Sequence, residues 1–162
     1  MLRIIAAVML LPFAGQSQTS QPQACRFTAA QLGQALGAQV SEGKPGLSMP
    51  LGGATLQDCR YQVKSGKAGF TLMLKTTVYT RSVTPAQHFE SLAGRLVAVP
   101  NDPDGARWQE GQGDLTSPAL HYFRKGTGVE LRILGTYYEG MKATEAEFKA
   151  WQKKLAALPR VP

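Results

Sequence analysis

Between Leu56 and Val63 the apolar or core-prone residues Cys59, Tyr61 and Val63 alternate with Asp58, Arg60 and Gln62. That two-residue period predicts a half-buried strand. Phe70, Leu72, Leu74, Thr76 and Val78 repeat it against Thr71, Lys75 and Thr77, and the turn-forming SGKAG between the runs predicts an antiparallel hairpin. A second hairpin follows from PALHYFRK and VELRILGTYY around the tight KGTG turn, with Leu120, Tyr122, Val129, Leu131 and Ile133 on its inner face. A short strand is expected around Ala106 to Glu110.

The period lengthens elsewhere. Thr28 and Gln31 have capping-box spacing, Leu32 and Leu36 share a helical face, and Gly37 is placed to end a helix over about 28 to 37. Thr84, Pro85 and Gln87 start a second helix, expected from about 85 to 97 and burying Phe89, Leu92 and Leu96. Thr144 and Glu147 open a third, whose stripe of Phe148, Trp151, Leu155 and Leu158 runs to Pro159. The Gly- and Pro-rich SEGKPGLSMPLGGA from Ser41 is expected to be a long loop. The order α-β-β-α-β-β-β-α describes an α+β domain: an antiparallel sheet of about five strands with two or three packed helices.

The amino terminus sets the compartment. Arg3 precedes an apolar run from Ile4 to Ala14, followed by Gly15, Gln16 and Ser17, which is the layout of a secretory signal peptide over residues 1–17. The run is shorter than the roughly 20 residues a spanning helix needs. Residues 18–24 are expected to be a short, uncharged spacer, and 25–162 a single domain. Exported, periplasmic or secreted location follows, with no transmembrane segment once the signal is removed. In that compartment the two cysteines, Cys25 and Cys59, are expected to form a disulfide. A lipid anchor on Cys25 and a free or catalytic thiol are the alternatives, but Pro22 and Gln23 do not suit a lipid-attachment signal, and no nucleophile motif surrounds either cysteine.

The net charge of +7 fits loose attraction to anionic lipid, polysaccharide or nucleic acid without choosing among them. The positive residues are dispersed, and the densest group, Lys149, Lys153 and Lys154, has the spacing of a solvated helix face. No nucleic-acid motif is present, so specific binding of that kind is not expected. Asp102, Asp104 and Gly105 read as a turn, since the remaining ligand spacing of a calcium loop is missing.

The acid and base groups Asp58, Glu90, Asp102, Asp104, Asp114, Glu130, His88 and His121 fall into no catalytic pattern. No metal ligand set or phosphate loop is recognisable, and no catalytic, metal or cofactor residue is assigned. His88 reads as a partly exposed surface histidine, and Trp108 and Trp151 as core aromatics. One patch is distinctive. His121, Phe123 and Lys125 share a strand face, and a two-residue turn sets Arg132 opposite His121. If no helix covers it, that aromatic and cationic group suits an acidic or planar partner. The expected function is a non-catalytic binding or accessory domain acting on a partner protein or an anionic envelope component; the alternatives are a secreted enzyme of unrecognised type and a secreted enzyme inhibitor.

Cys25 followed by TAAQLGQALG, the CRY of Cys59 to Tyr61, the loop into GARW and the RKG turn before the last strand and helix resemble landmarks of a diffuse group of exported bacterial proteins, often lipid-anchored, with a PsbP-like αβα fold. Here DPDGA replaces the glycine-rich turn usual in that group. The resemblance implies a fold and export, and names no activity.

Overall fold

A computed structural model describes residues 25–66, 68–109, 119–134 and 145–161. The expected signal peptide and spacer, the Thr144 cap, Asp114 and the Phe148 side chain lie outside the described residues. The described elements are α1 (Ala29–Leu36), β1 (Gln39–Val40), β2 (Lys44–Leu51), β3 (Ala54–Ser65), β4 (Ala68–Tyr79), α2 (Pro85–Glu90), β5 (Leu96–Ala98), β6 (Arg107–Gln109), β7 (Ala119–Arg124), β8 (Thr127–Leu134) and α3 (Glu145–Ala156). All strand pairs are antiparallel. The sheet runs β1-β3-β4-β8-β7-β6-β5, with β2 also on β3. The class is α+β, as the alternation predicts.

Among the described residues eight strands replace the expected five or so. The segment read as a long loop supplies β2, which keeps its two prolines because they point away from the ladder. Thr80 donates its backbone N–H to the Gly53 carbonyl at 2.9 Å, and Ser41 does the same to Gln62 at 2.9 Å. Odd residues of β3 therefore turn their backbone groups to β4 and even ones to β1 and β2. Pro45 and Pro50 pair with Cys59 and Thr55, both odd, so neither proline nitrogen faces β3. The expected second helix also divides. It stops at Glu90, where the Ser91 hydroxyl bonds the His88 carbonyl at 2.7 Å and competes with helix continuation. Gly94 then takes a left-handed φ of 85°, and Leu96 falls in β5 rather than on a helix.

One face of the sheet is dry. Tyr61, Val63, Leu72, Leu74, Leu120, Leu131 and Ile133 are almost fully buried there, together with Leu32 and Leu36 of α1 and Leu155 of α3. Trp151 meets Phe70 edge-on at 4.6 Å, and Trp108 packs half-buried against the same core. α1 carries the predicted capping box and the left-handed Gly37. Its last turn has no cation of its own. Lys154 of α3 reaches across instead, donating from Nζ to the Leu36 carbonyl at 2.7 Å while lying over Trp151. That corrects the reading of Lys154 as part of a solvated face; an orphan helix-end carbonyl attracts it.

Two buried tyrosines hold the ends of the described chain to this core. The Tyr61 hydroxyl accepts from the Phe27 N–H at 3.2 Å and donates to the Phe27 carbonyl at 3.1 Å; the Tyr122 hydroxyl accepts from the Val161 N–H at 3.1 Å. Burial raises the pKa of both phenols, so they stay protonated and able to donate. Beside Tyr61, Cys25 and Cys59 are joined in a disulfide that ties the start of the described chain to β3. Gly43 lies so close that a Cβ would stand 2.7 Å from the Cys59 Sγ. Only glycine fits there without movement.

Replacing both cysteines by alanine should lower unfolding free energy by about 4 kcal/mol, as expected from opening a loop of 34 residues. Urea unfolding with and without reductant checks it: wild type in reductant should match the double variant, and an unchanged midpoint would mean the crosslink constrains nothing.

Candidate functional site

The other face of the sheet has a different composition. Strand pairing places Asp58, Lys75, Glu130, His121 and Arg107 side by side in one row across β3, β4, β8, β7 and β6. Signs along it alternate around the histidine, so neighbours on adjacent strands attract. The next row toward β5 and the β3 end holds Arg60, Met73, Arg132, Ala119 and Gln109.

Glu130 is the centre of this arrangement. It is 7% exposed, and Lys75 donates from Nζ to its Oε2 at 2.9 Å while Arg132 bonds Oε1 through Nε. Burial alone would raise its pKa; the hydrogen bonds from Arg132 and Lys75 outweigh it and hold the carboxyl below its ordinary value. Arg132 also donates to the Gln109 Oε1, and Gln109 in turn donates from Nε2 to the Ala93 carbonyl at 2.9 Å. His121 Nε2 lies 3.4 Å from the same Gln109 oxygen. One side-chain amide thus links β8, β7 and the chain entering β5.

α2 covers part of this face. His88 is 3% exposed, against the expectation of a surface histidine, because its ring lies flat on Gly128. A Cβ at Gly128 would sit 2.1 Å from the His88 Cε1, so the helix seats only on a residue without a side chain. Tyr79 and Phe123 flank the ring, and the Tyr79 hydroxyl is 3.0 Å from Nδ1. With that hydroxyl donating, the ring hydrogen falls on Nε2, which is buried without a hydrogen-bond partner. Arg107 stacks over Phe89 at 4.2 Å, holding the other side of α2.

The patch expected from sequence is only partly assembled. His121, Phe123 and Arg132 do share this face, but the turn centres on Lys125 and Gly126, so Glu130 rather than Arg132 stands opposite His121. Arg132 pairs with Ala119. His121 is 2% exposed and Phe123 is half-buried under His88, while Lys125 leaves the strand face for the turn with a φ of 48°. The difference is a register of two residues, which preserves the face and changes the neighbours. Lys75, Gln109, Arg107 and Tyr79 were missed; only the strand register reveals them.

Asp102 confirms the turn reading of its segment: Oδ1 accepts from the N–H groups of Asp104 and Ala106, and Arg160 pairs with the carboxylate. Among the described residues no group of three or more His, Cys, Asp or Glu side chains is placed to hold a metal ion. No helix there is long and apolar enough to cross a membrane. A cleft of about 340 Å³ beside α2 is lined by Tyr79, Arg81, Ser82, Val83, Gln87, Glu90 and Ser91, away from the Nε2 of His88 and from Glu130.

No protein-family model, curated protein or solved structure matches this chain. The PsbP-like resemblance therefore stands on its sequence landmarks alone.

Burial lowers the pKa of His121 from 6.5 to about 4, with Glu130 opposing the shift and Arg132, His88 and Lys75 adding to it. Burial and Lys75 also lower that of His88. The unfolded chain then binds protons that the folded chain refuses between pH 6.5 and 4, so stability falls as pH falls through that window. His121 alone should account for up to about 3 kcal/mol. Urea titrations at steps of pH should show the decline, and His121→Asn should flatten it; an unchanged slope in the variant would place the titration elsewhere. Separately, Gly128→Ala should cost about 1–3 kcal/mol by forcing His88 off the sheet, and amide exchange should quicken in α2 before it does in β4.

Proposed function

We propose that this chain is an exported, disulfide-stapled binding domain without catalytic activity, which engages a partner protein or an envelope component through the half-covered face of its sheet. The observation that carries the proposal is the contrast between the two faces: one sealed by α1 and α3, the other charged, ordered and, among the described residues, covered in part by the six residues of α2.

The chemistry of the charged row favours binding over turnover. A general acid or base has to reach a substrate in the correct protonation state. Glu130 is committed to two cations, and both histidines are enclosed and biased to the neutral form. What protrudes is different. The carboxylates of Asp58 and Glu130 have side-chain exposures of 7% and 8%, whereas their partners Arg60, Lys75 and Arg132 reach 55%, 33% and 26%. A row near charge balance therefore presents its positive half to the surroundings, which suits an acidic partner. The signal-like amino terminus and the disulfide support export.

Export is tested by intact mass: the recovered chain should begin near Gln18 and take up alkylating reagent only after reduction. Binding is tested with a photo-crosslinking residue at Gln62, exposed on the charged face, and at Gln34, exposed on α1. Adducts should form from position 62 and not from 34 in the intact producing cells. Equal yields from both, or none from 62, would sink the reading.

A further inference from the structure

Among the described residues the exposed large hydrophobics are Leu47, Met49, Leu51 and Val97. Three of the four lie on β2, a strand exposed along all eight of its residues. Nothing in the core requires them. Met49 pairs with Leu56 and Leu51 with Ala54, so both side chains stand on the same face as Asp58, Arg60 and the charged row. At the other end of β2, Lys44 pairs with Arg60, and both are exposed. Between the ends a bulge at Gly46 and Leu47 sits over Asp58; a Cβ on Gly46 would overlap its Oδ1 at 1.8 Å. The only nearby carboxylate of the row is thus sealed beneath backbone. The corner that remains is an apolar cluster of Met49, Leu51 and Leu56 followed by two exposed cations, Lys44 on β2 and Arg60 on β3, the latter 3.6 Å from the buried Asp58.

An exposed edge strand ordinarily invites strand addition. This one does not. Both prolines of β2 turn their nitrogens to the free edge, since Pro45 and Pro50 pair with residues of β3 whose backbone groups face β4. An incoming strand would find no donor at either place. Ser48, paired with Gln57, turns a donor outward between them, but a ladder interrupted at both prolines is short, so side chains carry most of the recognition. A second copy of this chain is a poor occupant as well, because the chain carries +7 and would bring Lys44 and Arg60 against like charge.

We infer that the β2 corner, formed by Met49, Leu51 and Leu56 with Lys44 and Arg60, is a docking site for an acidic protein segment that carries apolar side chains beside carboxylates. The inference rests on the binding reading above and supplies its partner chemistry. Leu56 and Arg60 are four residues apart on one strand, about 13 Å. An extended partner segment places its carboxylates at the same distance from its apolar anchors, and the exposed Leu47 lies in the bulge between the two ends of β2.

The test uses the full disulfide-bonded chain and short fluorescent peptides in which a leucine pair and a glutamate pair are separated by two to six residues. Anisotropy should show strongest binding at a separation near four, weakening with added salt, and none for the lysine counterparts. Met49→Ser with Leu51→Ser, and separately Lys44→Gln with Arg60→Gln, should each weaken it by about tenfold or more, with the urea midpoint of unfolding unchanged. These positions are exposed, so folding survives the changes. Three outcomes overturn the inference: no glutamate peptide binds, or both double variants bind as well as wild type, or the variants abolish only self-association in sedimentation or only binding to phosphatidylglycerol vesicles. If crosslinks from position 62 persist in any of these cases, the charged-face reading survives and the corner alone is wrong.

Discussion

A carboxylate in a nearly dry position is tolerable only when its charge is met from close by, and Glu130 is met by Lys75 and Arg132. The rest of the charged face is arranged around that requirement. Lys75 comes from β4 and Arg132 from Glu130's own strand, so the pairing is available only in the register that sets Lys75 opposite Glu130. A one-residue slip would turn the carboxylate into the core beside Leu72 and Leu131, and a two-residue slip would leave it under α2 without its lysine. The ion pair therefore selects β4–β8 pairing among alternatives that the apolar pattern alone treats as nearly equal. Its net stabilisation is modest, since desolvation offsets much of the attraction, and its larger effect is on which structure forms.

The consequence spreads through Gln109. By accepting from Arg132 and donating to Ala93, that amide fixes β6 against β8 and sets the path of the chain leaving α2. α2 then lands with His88 over Gly128, the one place in β8 where a ring can lie on the sheet. A buried ring nitrogen without a partner is costly. The ring is held against Phe89 and Phe123, and Phe89 in turn lies under the guanidinium of Arg107. Among the described residues this face is consequently ordered yet only partly covered, the arrangement on which the proposed binding role rests.

Much of this was legible in the alternation. The two long hairpins, the inner residues Leu120, Tyr122, Val129, Leu131 and Ile133 and the capping boxes at Thr28 and Thr84 follow from local pattern, and the Cys25–Cys59 bond from the even cysteine count together with the expected export. β2 was hidden because glycine and proline argue against a strand, and the pattern does not say that both prolines occupy outward positions. Helix two was overlong because Leu92 and Leu96 keep helical spacing past the point where Ser91 and Gly94 break it. The candidate patch differs from its expected arrangement for a narrower reason. Its face was right, but the turn began one residue earlier, and two residues of register exchanged Arg132 for Glu130 opposite His121.

That exchange changes the kind of surface involved. With Arg132 opposite His121, the patch would have been cationic and open. With Glu130 there, the cations are drawn down onto a carboxylate and the histidine is enclosed, so the centre of the face contributes order rather than contact. Contact is left to the margin, where Lys44 and Arg60 have no comparable claim on them: Arg60 meets Asp58 only at 3.6 Å and stays more than half exposed. An exposed pair at that distance holds the guanidinium weakly. Arg60, more than half exposed, can therefore take a partner's carboxylate in addition to Asp58, whereas Arg132 is held between Glu130 and Gln109. The same ion-pair chemistry thus divides the face into a tightly paired centre at Glu130 and a loosely paired margin at Arg60, where the proposed docking corner lies.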